Sequence, residues 1–172
     1  EDRARAVCSF CDTDFTGTDG TDGGIYEDAG RLVEKIAACW PHRGNRCFVV
    51  CTGGEPLLQM DDVFIAALHK AGFEVAVETN GTIAAPAGID WLCVSPKANA
   101  KLLQTSGDEL KLVYPQEGGD PSRFEELAFR HFFLQPMDGR DSKEALQSAL
   151  RYVLGNPRWR LSLQLHKILN IR

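Results

Sequence analysis

Apolar and polar positions along the chain follow two alternating patterns. Helical periodicity predicts helices at residues 28–40, 61–71, about 121–129 and 141–154. Short apolar runs that lead into glycine, proline or polar residues predict strands with their following turns at residues 46–56, 73–81, 89–97, 109–115, 131–139 and 160–167. Strands that alternate with helices need crossover connections, which favour parallel pairing. The pattern therefore predicts an α/β fold with a mainly parallel sheet.

The first two predicted helices each have an apolar face. The first should turn inward Leu32, Val33, Ile36, Ala37 and Trp40. The second should turn inward Val63, Ile65, Leu68 and Ala71. No repeat, low-complexity tract or linker of domain size interrupts the chain, so residues 1–172 are expected to form a single domain.

Polar and glycine residues are concentrated directly after four of the predicted strands. These segments are residues 52–56, 78–81, 95–97 and 135–139. Each one alone has an ordinary structural explanation, because glycine pairs, Asn-Gly steps and prolines commonly form turns or end strands. In parallel α/β folds, however, the loops at the carboxyl ends of the strands meet at one edge, where ligands bind. Their shared position therefore predicts one ligand site.

The overall composition argues against two classes of partner. The chain has 19 Lys and Arg against 24 Asp and Glu, and its basic residues form no stripe or tail, which disfavours nucleic-acid binding. No apolar run approaches the ~20 residues that a membrane span needs, and no signal peptide opens the chain. We expect a cytoplasmic protein that binds neither nucleic acid nor membrane. Because the first residue is Glu1 and not Met, we also expect residues upstream.

Two of the six cysteines, Cys8 and Cys11, form a C-x-x-C pair. Such a pair can be a redox dithiol, half of a zinc site or two ligands of an iron–sulfur cluster. The polar, glycine-rich segment that follows disfavours a thioredoxin-like dithiol, and both metal options lack further ligands at the usual spacing. The other four cysteines are interpreted as small buried apolar residues, namely Cys39, Cys47, Cys51 and Cys93.

Five motifs in a fixed order make the chain resemble a known family. "CSFCDT", "TGGEP", "ETNG", "SPK" and "QPMDG" follow one another over nearly the whole chain, and the closing "HKILNI" is also similar. The set resembles the radical S-adenosylmethionine (SAM) enzymes of the 7-carboxy-7-deazaguanine synthase family. The resemblance implies an incomplete parallel β/α barrel. It also implies a lyase that converts 6-carboxy-5,6,7,8-tetrahydropterin to 7-carboxy-7-deazaguanine with loss of ammonia, in deazapurine and queuosine biosynthesis.

The resemblance also implies metal ligands. Cys8 and Cys11 would bind a 4Fe–4S cluster, and Thr13 would bind Mg²⁺, with the aspartates on either side of Thr13 as the alternative ligands. In the usual C-x-x-x-C-x-x-C motif the first cysteine would fall at position 4, which is Ala4. Some family members carry an insertion between the first two cysteines. The third cluster cysteine and the first strand are therefore expected before Glu1.

The same resemblance gives roles to residues of the four loops and of the chain end. Those expected to contact SAM are Gly54, Ser95, Pro96, Lys97, Gln135, Pro136, Met137 and Asp138. Those expected to contact the pterin are Thr52 and the terminal carboxylate of Arg172. The ordinary alternatives are a solvated loop lysine at Lys97, a turn-capping hydroxyl at Thr52 and a frayed terminus at Arg172.

The resemblance further implies an external electron donor, such as flavodoxin, and a homodimer. Two other functions stay open at this point. Another radical SAM enzyme, such as an activase of glycyl-radical enzymes, would share the superfamily features, and identification of the product separates the two. A zinc-stabilised binding module would explain Cys8 and Cys11, but it gives "TGGEP" and "QPMDG" no role. Metal analysis distinguishes a zinc module from an iron–sulfur enzyme.

Overall fold

The computed structural model describes residues 17, 18, 20, 23–40 and 46–171. These residues belong to two compact units. The first unit consists of the described residues up to Thr79 together with Ile83–Leu92. The second consists of Asn80–Thr82 and the described residues from Cys93 onward. The expectation of a single domain with a strand and a cysteine upstream stays a prediction.

The first unit contains two helices and two parallel strands. In chain order they are α1 (Ala29–Ala38), β1 (Cys47–Cys51), α2 (Asp62–Lys70) and β2 (Phe73–Thr79). β1 pairs with β2 in a register that runs from Cys47 opposite Phe73 to Cys51 opposite Val77. The two strands therefore end near each other, which places the segments that follow them at the same edge.

Aspartate caps and an apolar core hold the elements of the first unit. The carboxylates of Asp28 and Asp61 each accept a hydrogen bond, 2.8 Å long, from a backbone N–H three residues ahead in α1 and α2. These bonds satisfy N–H groups that the helix itself leaves without partners. The buried apolar side chains of α2 and β2 include Ile65, Leu68, Val75 and Val77. Their removal from water stabilises the unit.

The predicted helix faces are only partly correct. In α2, Ile65 and Leu68 are buried as predicted, but Val63 is 68% exposed and Ala71 is exposed as well. Residues two apart on a helix point roughly 200° apart, so Val63 and Ile65 cannot both face the core. In the first predicted helix, Val33 is buried and the other four predicted residues are half-buried.

The second unit is built on longer strands. Its elements are β3 (Trp91–Val94), which begins in the first unit, β4 (Ser106–Tyr114), β5 (Ala128–Pro136), α3 (Ser142–Gly155), β6 (Trp159–Leu161) and α4 (Leu165–Ile168). β3 pairs with β4, β4 with β5, and β5 with β6, and all of these pairs are parallel. Leu110, Leu112 and Leu134 are fully buried in this sheet. The rings of Phe132 and Trp159 meet edge to face, with 5.3 Å between their centres.

The predicted α/β fold is confirmed. Within each unit the strands lie side by side in chain order and are parallel. Among the described residues, none of the helices has the length and apolar character needed to cross a membrane.

Two predicted elements are wrong. Residues 121–129 do not form a helix, because a short 3₁₀ helix at Pro121–Phe124 is followed by β5, which already begins at Ala128. Asp120 caps that 3₁₀ helix by accepting the N–H of Ser122. The last strand is also shorter than the predicted 160–167, because β6 ends at Leu161 and the chain then turns into α4.

Candidate functional site

The glycine turn of the first unit follows β1 directly. Thr52 and Gly54 are exposed, and Gly53 has a φ of +90°. This left-handed conformation is strained for other residues and accessible to glycine. A Cβ added to Gly53 would meet no atom within 4 Å, so its backbone is open to a ligand.

Glu55 fastens the far end of this turn. Its Oε1 accepts a hydrogen bond from the hydroxyl of Thr79 at 2.7 Å and another from the backbone N–H of Leu57 at 3.1 Å. The second bond caps the 3₁₀ helix Pro56–Leu58. Thr79, the last residue of β2, is 2% exposed, so its hydroxyl needs a protein partner and Glu55 provides one.

The Asn-Gly turn opens the second unit. The side-chain oxygen of Asn80 accepts the N–H of Thr82 at 2.8 Å, and Gly81 has a φ of +78°. A Cβ on Gly81 would lie 2.5 Å from a methyl of Leu102 and 2.7 Å from a methyl of Val94. Both packing and backbone conformation therefore require a glycine at this position. These two requirements explain Gly81 without a role in ligand binding.

The Ser-Pro-Lys segment after β3 is held largely by its own side chains. The ammonium of Lys97 donates to the carbonyl of Ser95 at 3.0 Å and to its hydroxyl at 2.8 Å. Pro96 is fully buried. Lys97 is half-buried, so it is not the freely solvated lysine of the ordinary interpretation.

Gln116 ties this segment to the end of β4. Its side-chain oxygen accepts the N–H of Ala98 at 3.1 Å, and its side-chain nitrogen donates to the carbonyl of Val113 at 2.7 Å. Gln116 is not predictable from the sequence, because a single glutamine in a loop has no distinctive pattern. Its role depends on which loops the fold brings together.

The Gln-Pro-Met-Asp segment, residues 135–138, spans the end of β5 and the loop after it. The N–H of Met137 donates to the carbonyl of Tyr114 at 2.8 Å. The carboxylate of Asp138 pairs with the ammonium of Lys167 at 2.5 Å, and both side chains are partly exposed. This ion pair connects the segment to α4 near the end of the chain.

The structure thus gathers the predicted residues in two groups. The first unit holds Thr52 and Gly54 beside the end of β2. The second unit holds the loops that carry Ser95, Pro96, Lys97, Gln135, Pro136, Met137 and Asp138. Four predicted residues, Cys8, Cys11, Thr13 and Arg172, lie outside the described residues. The union of all four loops in one site stays a prediction.

The described cysteines differ from one another. Cys93 is buried as predicted and Cys47 and Cys51 are half-buried, but Cys39 is exposed, so the prediction for Cys39 is wrong. Cys39 is the cap that follows α1, and a helix end lies closer to solvent than its centre. Burial raises the pKa of the Cys51 thiol, which favours its neutral form. Within the described ranges, no three His, Cys, Asp or Glu side chains could hold a metal together.

Several known proteins similar to this chain carry the same name. No protein-family model matches. A 7-carboxy-7-deazaguanine synthase from Caulobacter vibrioides is 58% identical over 171 residues, which are 99% of this chain and 81% of the relative. A protein of the same name from Bradyrhizobium diazoefficiens has the same identity and coverage, and one from Bordetella pertussis is 55% identical over 170 residues, again 99% of this chain and 81% of the relative.

A solved structure is similar in fold. The crystal structure of QueE from Escherichia coli matches with a TM-score of 0.64 and covers 87% of this chain and 69% of its own chain. The sequence identity is 24%, so this likeness concerns the fold alone.

Proposed function

Because the chain belongs to the 7-carboxy-7-deazaguanine synthase family, as its motifs predict and its relatives confirm, we propose that it is a radical SAM lyase. The proposed reaction converts 6-carboxy-5,6,7,8-tetrahydropterin to 7-carboxy-7-deazaguanine with loss of ammonia, as a step of deazapurine and queuosine biosynthesis. The observation that carries this proposal is the 58% identity over 171 residues to a relative of that name.

The glycine turn of the first unit suits the methionine end of SAM. Gly53 has no neighbour within 4 Å of an added Cβ, and Gly54 is exposed. A backbone without side chains lets a ligand approach closely and hydrogen-bond to peptide groups. We assign the contact to Gly54.

The loops of the second unit suit the rest of SAM. Ser95 and Lys97 offer a hydroxyl and an ammonium that are already adjacent, which fits a sugar and a carboxylate, and Pro96 fixes the backbone between them. For the adenine we assign residues 135–138. The N–H of Met137 is bound to Tyr114, so recognition falls to the other backbone groups of this segment and to the apolar Met137 side chain.

The proposed metal ligands fit their ions by chemistry. Thiolates such as those of Cys8 and Cys11 are the ligands of 4Fe–4S clusters, and a third thiolate is proposed upstream of Glu1. Mg²⁺ often takes only one or two protein oxygens, a role that we assign to Thr13. When bound, the cluster and SAM supply the radical chemistry, while the chain binds and orients both reactants.

The remaining assignments concern the substrate and the partners. Thr52 is exposed directly before the glycine turn, so its hydroxyl can meet the pterin, and the terminal carboxylate of Arg172 is proposed to accept pterin N–H groups. An external electron donor such as flavodoxin, a homodimer and a cytoplasmic location complete the proposal.

The reaction can be tested directly. The protein is purified without oxygen, supplied with iron and sulfide, and incubated with SAM, a reductant, Mg²⁺ and the pterin. We expect mass spectrometry to detect 7-carboxy-7-deazaguanine, with none when SAM is omitted. SAM cleavage without this product would instead favour another radical SAM enzyme, and colourless protein that contains zinc would favour a binding module.

A further inference from the structure

Both ends of the glycine turn in the first unit are attached to the same strand. At one end, Cys51 of β1 is paired with Val77 of β2. At the other end, Glu55 accepts the hydroxyl of Thr79, two residues further along β2. Only three residues lie between these attachments, and two of them are glycines.

The two glycines make the backbone of this turn conformationally permissive. A Cβ added to Gly53 would meet no atom within 4 Å, and the φ of Gly53 is +90°. Glycine gains no side-chain packing and loses more conformational freedom on ordering than other residues. The bond between Glu55 and Thr79 therefore restrains the position of the turn's peptide groups relative to β2.

The bond is well placed for this task. Thr79 is 2% exposed, and water does not compete effectively for a buried hydroxyl. The same Glu55 oxygen also accepts the Leu57 N–H, so the carboxylate orients both the turn and the 3₁₀ helix after it. Hydrogen bonds to a charged acceptor are stronger than bonds between neutral groups.

We propose that Glu55 and Thr79 are a pair of positioning residues that hold the glycine turn in the conformation that binds SAM. This inference rests on the proposed function, in which Gly54 contacts SAM. Neither side chain needs to touch SAM, because each acts through the backbone between them.

The test compares variants that change the Thr79 hydroxyl or the Glu55 carboxylate with a control variant elsewhere in the same unit. Thr79→Val removes the hydroxyl at nearly constant volume, Thr79→Ser keeps it, and Glu55→Gln removes the charge but keeps an acceptor. Ile65→Val is the matched control, because it removes one buried methylene group from the same unit and leaves the turn intact. SAM affinity, KM and kcat are measured, together with hydrogen exchange of residues 52–58 in protein free of SAM.

We expect Thr79→Val to weaken SAM binding about fivefold to tenfold, to raise the KM for SAM with little change in kcat, and to speed exchange of the Leu57 amide. Thr79→Ser should restore wild-type values, and Glu55→Gln should lie between. Equal SAM affinity and equal exchange in Thr79→Val and Ile65→Val would overturn the positioning role.

The outcome separates this inference from the proposed reaction. A wild type that binds SAM but forms no 7-carboxy-7-deazaguanine would contradict the reaction alone, and the affinity comparison would still decide the role of the pair. A wild type that binds no SAM would overturn both.

Discussion

The two edges of the first unit, at opposite ends of its strands, are stabilised in different ways. At the carboxyl edge, an open glycine turn is fastened by a buried hydroxyl and a carboxylate, Thr79 and Glu55. At the amino edge, charged side chains pair with each other on the surface, as Arg46 does with Glu74. Asp90 accepts the N–H of Val75 at 2.8 Å and pairs with a histidine of α2.

This contrast indicates that the two edges serve different functions, ligand binding and stability. The carboxyl edge leaves backbone accessible, as a binding site requires, whereas the amino edge uses its charges to hold strand ends. In α/β barrels, ligands bind at the carboxyl ends of strands, and the other end serves stability. Substitutions at the two edges should therefore differ in kind: those at the carboxyl edge should change ligand binding, and those at the amino edge should change the free energy of unfolding.

The largest expected effect concerns the cluster that the carboxyl edge is proposed to serve. Cys8→Ala or Cys11→Ala should abolish iron content, visible absorbance and SAM cleavage, because each removes a thiolate ligand. Cys47→Ala, at the amino end of β1, is the control and should keep all three. Loss of the cluster in the Cys47 variant would contradict the assignment of ligands.

A smaller but specific effect is expected at Lys97. Lys97→Ala should weaken SAM binding roughly 10- to 100-fold, since a hydrogen bond to a charged group contributes about 1.5–3 kcal/mol. Lys101→Ala removes an exposed lysine nearby and should leave affinity unchanged. Calorimetry measures the SAM affinity of both variants, and equal affinities would show that Lys97 does not contact SAM.

At the amino edge we expect a change in stability only. The hydrogen bond from Val75 and the pairing with His69 lower the pKa of Asp90 in the folded protein. A lowered folded pKa stabilises the protein at pH values above the ordinary pKa of an aspartate, and this contribution is lost as pH falls through the lowered value. Asp90→Asn should therefore lower the free energy of unfolding at neutral pH, and it should flatten the acid part of the stability curve. Denaturant unfolding from pH 7 to pH 2 measures the free energy of unfolding of both proteins. A change in SAM affinity in Asp90→Asn would contradict the proposal that the amino edge serves stability alone.

The smallest effect is expected at Arg46. Its side chain is 84% exposed beside Glu74, and exposed ion pairs contribute about 0–1 kcal/mol. Arg46→Ala should therefore change the free energy of unfolding by less than about 0.5 kcal/mol. A loss well above that in thermal or denaturant unfolding would mean that the amino edge depends on this pair more than its exposure indicates.

Local patterns predicted most elements of the fold but not the contacts that hold the site. The alternation of strands and helices was correct because burial imposes its period on the sequence. The helix at 121–129 was wrong because Pro121 starts only a short 3₁₀ turn before β5. The prediction for Val63 is wrong because Val63 and Ile65 point to nearly opposite sides of α2, so only one of them can face the core.

The site was predictable where a motif marks it and unpredictable where distant residues meet. Gly54 and Lys97 lie in motifs that follow strands. The bond between Glu55 and Thr79 joins residues 24 positions apart and depends on the register of β1 and β2, which no local pattern specifies. Gln116 is a similar case, because one of its backbone partners lies in the loop after β3 and the other lies near the end of β4.

Because Lys97 contacts Ser95, its side chain loses conformational entropy when the protein folds, before any ligand binds. A free lysine side chain has about 2 kcal/mol of rotamer entropy. Here two hydrogen bonds within the loop restrict those rotamers when the protein folds. An anion that reaches the ammonium meets a side chain that is already ordered, so less conformational entropy is lost on binding, and the affinity at this position reflects mainly the electrostatic attraction.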